Sequence, residues 1–511
     1  MDYEEISAAQ AANRDDATKD MSADALRARN EAIMASPLYN AQFAGDDLTK
    51  HLDTEEGDVY DRGIKHFSRL GWKRLTVVMI VEAIALGSLS IPSTFAALGM
   101  VAGVITCVGI GLIAIYTSYI VGQTKLAYPE IASYADAGRV MGAKLGCPRF
   151  GYELINAMLG IQLLFLTGSH CLTGTIAWRS ITGSDICSVI FGVVSAIILL
   201  LLAIPPSFTE MAVLGYIDFA SIIIAIGITI IATGVSSTNA PGGLSAVDWS
   251  AWPKEGLTFT DAFVAVTNII FAYSFALCQF SFMDEMHTPK DFVKSIWALG
   301  IVEIIVYTLT GALVYAFVGS SVQSPALLSA GSLVSRIAFG VALPVIFISG
   351  SINTVVFGRL VHGRIFANSP IRFVNTKMGW LTWLAVISAA TIVAFIIAEV
   401  IPFFDDLLSI SSSLFISGFT FYFPPMMWVL LLREGSWWTK KNMALAAVNL
   451  LTFIIGLVTL VAGTYASVDD IVRLSLSVTS FNGIGLIRDK KQVLKYRAGT
   501  VHGVFTCGSP E

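Results

Sequence analysis

Residues 222–235 read IIIAIGITIIATGV, with no charged residue in the run. Comparable runs occupy residues 189–202 and 383–398, each extended by further apolar or small residues. Such segments approach the length of about twenty residues that a helix needs to cross a hydrocarbon core of about 30 Å. Only helices or a closed barrel satisfy their backbone groups inside lipid, and these runs lack the alternation of barrel strands. The sequence therefore predicts an all-α polytopic membrane protein.

The composition agrees with this fold class. Of 511 residues, 55% are hydrophobic and 14% are charged, whereas a soluble chain carries about a quarter charged residues. The net charge of -5 gives no reason to expect a nucleic-acid partner. The chain has no HExxH or GxSxG motif and no cluster of His or Asp, so we expect neither an enzyme nor a metal or other cofactor. The cysteines are scattered without paired spacing, mostly within apolar runs, so we expect packing residues and not disulfides.

The apolar runs predict about eleven spans. They cover residues 76–95, 97–122, 152–178, 186–204, 212–235, 262–282, 292–318, 334–357, 380–399, 407–432 and 443–466. We divide the chain into a polar cytosolic tail at 1–70, a transmembrane domain at 71–466 and a C-terminal tail at 467–511. The first tail is predicted to be largely disordered, because it is rich in Ala, Asp and Glu.

Lysine and arginine indicate the orientation, since they collect on the cytoplasmic side of a membrane. With the N-terminus in the cytosol, the inner loops receive most of them, and the outer loops hold Arg179, Lys254 and Arg336. The basic C-terminal tail disagrees, because eleven spans place it outside. Either the last segment does not cross, or these late charges do not govern the topology; we prefer the second interpretation.

The first predicted span contains ALGSLSIP at residues 85–92, close to its midpoint. A transporter needs free backbone groups near the middle of the membrane, and an interrupted helix supplies them. Gly87 permits unusual dihedral angles, and Pro92 removes a backbone donor. This stretch is therefore either an unwound binding loop or a packing kink. The sixth span has FAYSF at residues 271–275, an aromatic surface beside a hydroxyl, which serves either packing or an apolar substrate side chain.

Four ionisable residues fall within predicted spans: Glu82, Glu303, His170 and Asp218. A carboxylate at the centre of a membrane helix costs about 2.5–3.5 kcal/mol on insertion scales. These residues are candidates for proton coupling, with Glu82 and Glu303 favoured, and the alternative is that they lock helices together. A sodium ion is the alternative coupling ion, bound by carbonyls of the first span with Ser349 or Ser351 of the eighth.

Two stretches resemble signatures of the amino acid/auxin permease family. Residues 87–92 (GSLSIP) followed by 95–99 (FAALG) resemble its first-span signature. Residues 270–273 (IFAY), 283–286 (MDEM) and 288–290 (TPK) resemble its second signature. The resemblance covers about residues 76–466 and is greatest to the fungal neutral amino-acid permease branch.

The resemblance implies an inverted repeat of five plus five spans with discontinuous first and sixth helices. It implies secondary active transport of neutral aliphatic or aromatic amino acids, commonly with protons. By position, it assigns substrate binding to Gly87, Ser88, Leu89 and Ser90, and a facing wall to Phe271, Ala272, Tyr273 and Ser274. The family often has a second glycine where this chain has Ala85, which leaves the width of the interruption open.

Other functions remain open at this point. A nutrient-sensing relative that binds amino acids with little flux would have the same motifs, and a channel would show repeated polar faces that are absent from this sequence. On resemblance alone we expect the plasma membrane first and the vacuolar membrane second. The sequence does not indicate an oligomeric state.

Overall fold

The computed structural model describes residues 71–481 apart from 132, 185, 207, 254–255, 285, 287 and 367–376, and omits a few side chains within helices, including that of Glu82. The predicted N-terminal tail and most of the C-terminal tail lie outside these residues. The described part is helical and contains no strand, as the apolar runs predict.

Fourteen helices are numbered here in chain order. The first seven are α1 (Trp72–Ala83), α2 (Leu86–Leu98), α3 (Met100–Ala127), α4 (Tyr134–Lys144), α5 (Pro148–Thr182), α6 (Ser188–Leu202) and α7 (Phe208–Asn239). The next five are α8 (Phe259–Ala272), α9 (Gln279–Asp284), α10 (Phe292–Val318), α11 (Ser332–Ile365) and α12 (Lys377–Val400). Then follow α13 (Phe404–Leu432) and α14, whose consecutive segments are Lys440–Val458, Thr459–Gly463 and Thr464–Phe481.

Nine helices of the described chain are long and apolar enough to cross a membrane. The two other predicted spans correspond to shorter helices. Residues 76–95 are divided between α1 and α2, and residues 186–204 contain the fifteen-residue α6. The count of eleven crossings therefore stays a prediction. The last helix continues to Phe481, beyond the predicted domain boundary at residue 466.

The surface of the bundle is apolar where lipid would cover it. On α14, Leu450 and Leu451 are each 60% exposed and Val461 is 70% exposed. A soluble protein rarely leaves such a continuous apolar face open. The face is explained by a hydrocarbon environment, so the chain is a multi-pass membrane protein.

Helix pairing agrees with a repeat of five spans. The first span packs against the sixth through α2 and α8, and the second packs against the seventh through α3 and α10. In the same way α5 packs against α11, and α6 packs against α12. Each of the first four spans thus contacts the span five places later. After five crossings the chain is on the opposite side of the membrane, so the second repeat runs in the opposite direction to the first. This is the inverted repeat that the resemblance implies.

The cysteines differ in part from expectation. Cys107, Cys147 and Cys171 are free thiols, but Cys187, directly before α6, is disulfide-bonded. The expectation of free thiols throughout was therefore wrong, because sequence spacing says nothing about pairs that the fold brings together.

Candidate functional site

The first span is interrupted between α1 and α2. Helix α1 ends at Ala83, and Ile84 and Ala85 leave helical geometry, with φ/ψ angles of -85°/39° and -90°/-112°. Helix α2 then begins at Leu86, and no described side chain caps its N-terminus. The first amides of a helix have no partner within that helix, and its N-terminus carries partial positive charge. The interruption therefore offers donors suited to an anionic group.

The interruption lies at the start of the stretch 85–92, where the sequence left an unwound loop and a packing kink open. Gly87 and Pro92 themselves lie inside α2. Serine and threonine hydroxyls bond to carbonyls of the same helix. The Ser90 hydroxyl donates to the Gly87 carbonyl and the Thr94 hydroxyl donates to the Ile91 carbonyl. The helix continues through Pro92, and the chain opens before it, at Ala85.

The sixth span is interrupted after α8. Helix α8 ends at Ala272, and Tyr273 and Ser274 adopt non-helical angles. A 3-10 turn, Phe275–Cys278, follows before the short α9. Neither glycine nor proline lies in residues 262–282, so composition gave no signal here. The resemblance did predict it, and the discontinuous first and sixth helices are confirmed.

The two interruptions touch at Gly87. A Cβ atom added at Gly87 would lie 2.6 Å from the Ala272 Cα and 2.8 Å from the Ala272 Cβ. Real Cβ atoms do not approach backbone so closely, so only glycine allows α2 and the end of α8 to meet at this distance. Gly87 is therefore required for packing as well as being a candidate binding residue.

A single hydroxyl connects both interruptions. The Tyr307 side chain on α10 is fully buried. Its Oη lies 2.8 Å from the Ala83 carbonyl oxygen and 3.1 Å from the Ala272 carbonyl oxygen. These carbonyls belong to the last residues of α1 and α8, which lack a helical partner. The hydroxyl has one proton, so Tyr307 donates to one carbonyl at a time. Because both carbonyls lie within reach of this one hydroxyl, Tyr307 holds the two helix ends close together.

A cavity lies beside the interruptions. About 40 Å³ is open to the centre of a water molecule, which is room for about three waters at roughly 10–15 Å³ each. Its walls come from α1, α2, α5, α8, α9, α11 and both interruptions. They include Met79, Ala83, Ala85, Leu86, Gly87, Leu166, His170, Phe271, Ser274, Phe275, Leu277, Phe282 and Asn353. The cavity is mostly apolar, with few polar groups, as is common for small-molecule sites.

Part of the predicted substrate-binding set lines this cavity. Gly87, Phe271 and Ser274 do so. Ala272 contacts Gly87 from behind. The predicted residues of α2 that follow Gly87 are buried in helix packing.

Tyr273 also lies away from the cavity. Its hydroxyl shares a 3.3 Å hydrogen bond with the Cys107 Sγ, and its ring packs edge-on against Tyr307 with the ring centroids 5.1 Å apart. The side chain therefore fills the space between α8, α3 and α10. Its predicted place in the wall that faces the substrate stays a prediction.

Glu303 is the buried carboxylate nearest to this aromatic cluster. It lies on α10 one turn before Tyr307 and is fully buried. Neither of its carboxylate oxygens has a hydrogen-bond partner among the described residues. An isolated buried charge is costly, so Glu303 stays a candidate for proton coupling. Glu82 lies in α1, but its side chain is outside the described part of the structure.

Asp218 connects α7 to α11. It is fully buried, and its Oδ2 accepts a 2.6 Å hydrogen bond from the Ser349 hydroxyl. The Ser349 carbonyl in turn accepts a 3.0 Å hydrogen bond from the Asn353 amide nitrogen. Ser351, the other predicted sodium ligand, donates its hydroxyl to the Ile348 carbonyl. In the described residues, no group of three or more His, Cys, Asp or Glu could hold a metal ion.

His170 lies on α5 in the cavity wall. Its Nδ1 is 2.7 Å from the Ile346 carbonyl oxygen. Because a carbonyl only accepts, Nδ1 carries the proton. Sequence reasoning found His170 but missed Asn353 and Tyr307, since an amide and a phenol in apolar spans are not rare enough to stand out.

Residues 68–469 match the family described as "Transmembrane amino acid transporter protein". The chain belongs to this family. The resemblance to amino acid permeases is thereby confirmed, and the protein is a multi-pass membrane protein of an amino acid transporter family.

Named relatives of this transporter are fungal. The "N amino acid transport system protein" of Neurospora crassa is 58% identical over 450 residues, covering 86% of this chain and 93% of the relative. A "Transmembrane transporter" of Gibberella moniliformis is 27% identical over 426 residues, covering 81% of this chain and 88% of the relative. These proteins are named as transporters and not as enzymes.

Two solved structures are similar to the transporter at low sequence identity. A nucleobase-cation-symport-1 family transporter in a closed conformation, with bromovinylhydantoin bound, has a TM-score of 0.48 at 12% identity, covering 84% of this chain and 97% of the other. A manganese transporter of Eremococcus coleocola has a TM-score of 0.44 at 13% identity, covering 88% and 93%. Similarity of this degree says nothing about the substrate.

Proposed function

We propose that this protein is a secondary active transporter that moves neutral aliphatic or aromatic amino acids together with protons. The observation that supports this most is the cavity between two interrupted helices, because it joins uncapped helical amides to an apolar wall. Smooth membrane helices offer no such backbone groups.

The cavity walls suit a neutral amino acid. At one wall, the N-terminus of α2 directs the first amides, including that of Gly87, at a carboxylate. At another, Phe271 and Phe275 offer aromatic surface for an apolar side chain. No lysine, arginine, aspartate or glutamate is among the cavity-lining residues of the described chain, so a charged side chain would lack a counter-ion.

The size of the cavity supports alternating access. Room for about three waters is too small for an amino acid such as phenylalanine. The walls must therefore separate to admit substrate. Interrupted helices provide the hinge, because the backbone at Ala85 and at Ser274 is already free of helical constraint.

Proton coupling is assigned to Glu303, with Glu82 as the second candidate. Protonation neutralises the Glu303 carboxyl, which lowers the electrostatic cost of moving α10 within the low-dielectric interior. A movement of α10 would act on both interruptions, because Tyr307 on the same helix contacts both. The driving force is sufficient. One charge moving through about 100 mV releases about 2.3 kcal/mol, which supports roughly forty-fold accumulation before any pH gradient is added.

The experiment is uptake of a panel of amino acids by proteoliposomes that contain the full chain, with proton and sodium gradients imposed separately. We expect uphill uptake of neutral amino acids when the outside is acidic. Glu303→Gln fixes a neutral side chain, so we expect exchange of internal for external amino acid to persist while uphill uptake and its pH dependence are lost.

Glu399→Gln is the matched control, because Glu399 is a buried carboxyl on α12 that lies against Gly192 of α6 and is not among the cavity-lining residues of the described chain. Glu82→Gln tests the second candidate in the same assay. Unchanged proton-driven uptake in Glu303→Gln would remove Glu303 from coupling. A panel with no transported amino acid would contradict the proposed function itself.

Sodium coupling is the second candidate, and the pair formed by Asp218 and Ser349 favours it. The Asp218 Oδ1 has no hydrogen-bond partner among the described residues, and oxygen ligands from a carboxylate and a hydroxyl suit a hard cation. If sodium drives uptake without a pH gradient, Asp218→Asn should abolish that dependence.

The plasma membrane is the proposed location, with the vacuolar membrane second and the N-terminus in the cytosol. Loops with many lysines and arginines support this orientation. A fluorescent tag on the N-terminus, combined with protease protection of sealed vesicles, tests both statements.

A further inference from the structure

Two polar side chains in the cavity wall have no role in the function proposed so far. His170 on α5 and Asn353 on α11 line the cavity, yet they are only 3% and 6% exposed. Polar side chains buried this deeply are normally satisfied by hydrogen bonds. The atoms that lack protein partners therefore indicate what the cavity binds.

The Asn353 amide is held in one orientation. Its Nδ2 donates to the Ser349 carbonyl, and the Ser349 hydroxyl donates to Asp218 on α7. Because the carbonyl of Ser349 only accepts, the nitrogen of the amide must face it. The only hydrogen bond that its side chain makes to described residues is this one, and none reaches its Oδ1. The oxygen is thus the atom that Asn353 offers to the cavity.

His170 offers an acceptor in the same way. Its Nδ1–H donates to the Ile346 carbonyl, so in the neutral imidazole Nε2 is an acceptor. Its ring is held against α11, since a Cβ added at Gly350 would lie 2.7 Å from the His170 Cβ. Gly350 is one turn before Asn353 on this helix. The two acceptors therefore belong to the same part of the α5–α11 contact.

The cavity then has two unlike poles. The N-terminus of α2 supplies hydrogen-bond donors and partial positive charge at Leu86 and Gly87. The α5–α11 contact supplies acceptors from Asn353 and His170. This arrangement is complementary to a zwitterion, whose carboxylate accepts and whose ammonium group donates.

We propose that the Asn353 Oδ1, with the His170 Nε2 beside it, binds the ammonium group of the substrate and restricts transport to compounds with a free α-ammonium. This deepens the proposed function and rests on it. It places ammonium recognition on side chains of α5 and α11, apart from the helix end of the first span that suits the carboxylate. A deaminated acid or a trimethylated amine would leave these acceptors unpaired.

The test is calorimetric binding to the purified full chain, with phenylalanine, 3-phenylpropionate and N,N,N-trimethylphenylalanine as probes. We expect the wild type to bind phenylalanine at least about ten-fold more tightly than either analogue, as for a hydrogen bond to a charged group. Asn353→Ala should weaken phenylalanine binding by about ten-fold and leave 3-phenylpropionate binding unchanged.

Two further variants complete the design. Asn353→Asp keeps an oxygen acceptor, so it should retain the preference for phenylalanine that Asn353→Ala loses. Asn449→Ala is the matched control, since Asn449 is a buried asparagine on α14 that donates to the Tyr116 hydroxyl. It should leave all three affinities unchanged.

Each failure has a separate meaning. A wild type that binds phenylalanine no more tightly than 3-phenylpropionate overturns the ammonium site, while the transport proposal stands. Equal weakening of phenylalanine and 3-phenylpropionate in Asn353→Ala also overturns it, because a purely structural role affects both ligands. A wild type that binds no neutral amino acid overturns the proposed function as well.

Discussion

The interruption between α1 and α2 lies just before Gly87, in a span that also contains Pro92. The interruption after α8 lies in a span with neither glycine nor proline. Yet the last carbonyls of α1 and α8, at Ala83 and Ala272, meet the same Tyr307 hydroxyl. Partners from elsewhere in the fold, and not helix-breaking residues alone, therefore determine where these helices open.

The largest effect expected from this comparison is at the contact between the two interruptions. Gly87→Ala adds a Cβ that would lie 2.6 Å from the Ala272 Cα, so α2 must move away from α8. We expect the free energy of unfolding to fall by about 1–3 kcal/mol and uptake to fall by at least about ten-fold. Uptake in proteoliposomes and the melting temperature measure both.

Gly109→Ala is the control for this change. It also lies in a membrane helix, α3, but an added Cβ there would have nothing within 4 Å. It should behave like the wild type. Normal uptake by Gly87→Ala would mean that the two interruptions do not need to touch.

A smaller effect on uptake is expected at the hydroxyl that joins them. Tyr307→Phe removes the donor and leaves a buried carbonyl unpaired, which costs about 1–3 kcal/mol. We expect a lower melting temperature together with a raised KM, because both cavity walls lose a fixed position. Tyr315→Phe is the matched control on α10, where the hydroxyl accepts from the Ser250 amide, remote from the cavity.

The two tyrosine variants separate stability from function. Both should lose stability, but only Tyr307→Phe should change the KM. An equal change in KM in both variants would show that Tyr307 acts on folding alone.

The sequence predicted the all-helical membrane fold because hydrocarbon demands long apolar helices whatever their tertiary contacts. It also identified Gly87, Ser274 and His170, which line the cavity. It singled out residues 85–92 of the first span but did not decide between an unwound loop and a packing kink, and the structure opens the chain at Ala85 while the helix continues through Pro92. Asn353 and Tyr307 were missed because their roles depend on residues far away in the sequence. Asn353 shares the cavity wall with His170 of another helix, and Tyr307 contacts Ala83 and Ala272 of two other spans.

The smallest effect is expected for the serine side chains of α2. The Ser88 hydroxyl donates to the Ala85 carbonyl and the Ser90 hydroxyl donates to the Gly87 carbonyl, so neither side chain reaches substrate. Ser88→Ala and Ser90→Ala should change the KM by less than about two-fold, because such bonds within one helix contribute little. A ten-fold rise in KM would instead assign substrate binding to a side chain and not to the backbone.

The central claim is that amino acids occupy the cavity between the two interruptions. Ser274 lines this cavity and is half-buried, so the full chain with Ser274→Cys can be modified by a methanethiosulfonate reagent and followed by peptide mass spectrometry. Ser436→Cys, in the exposed loop before α14, is the control. At a concentration of a transported amino acid ten times its Kd, occupancy should slow modification at Ser274→Cys by about ten-fold and leave Ser436→Cys unaffected. The same modification rate at Ser274→Cys with and without that amino acid would contradict the claim.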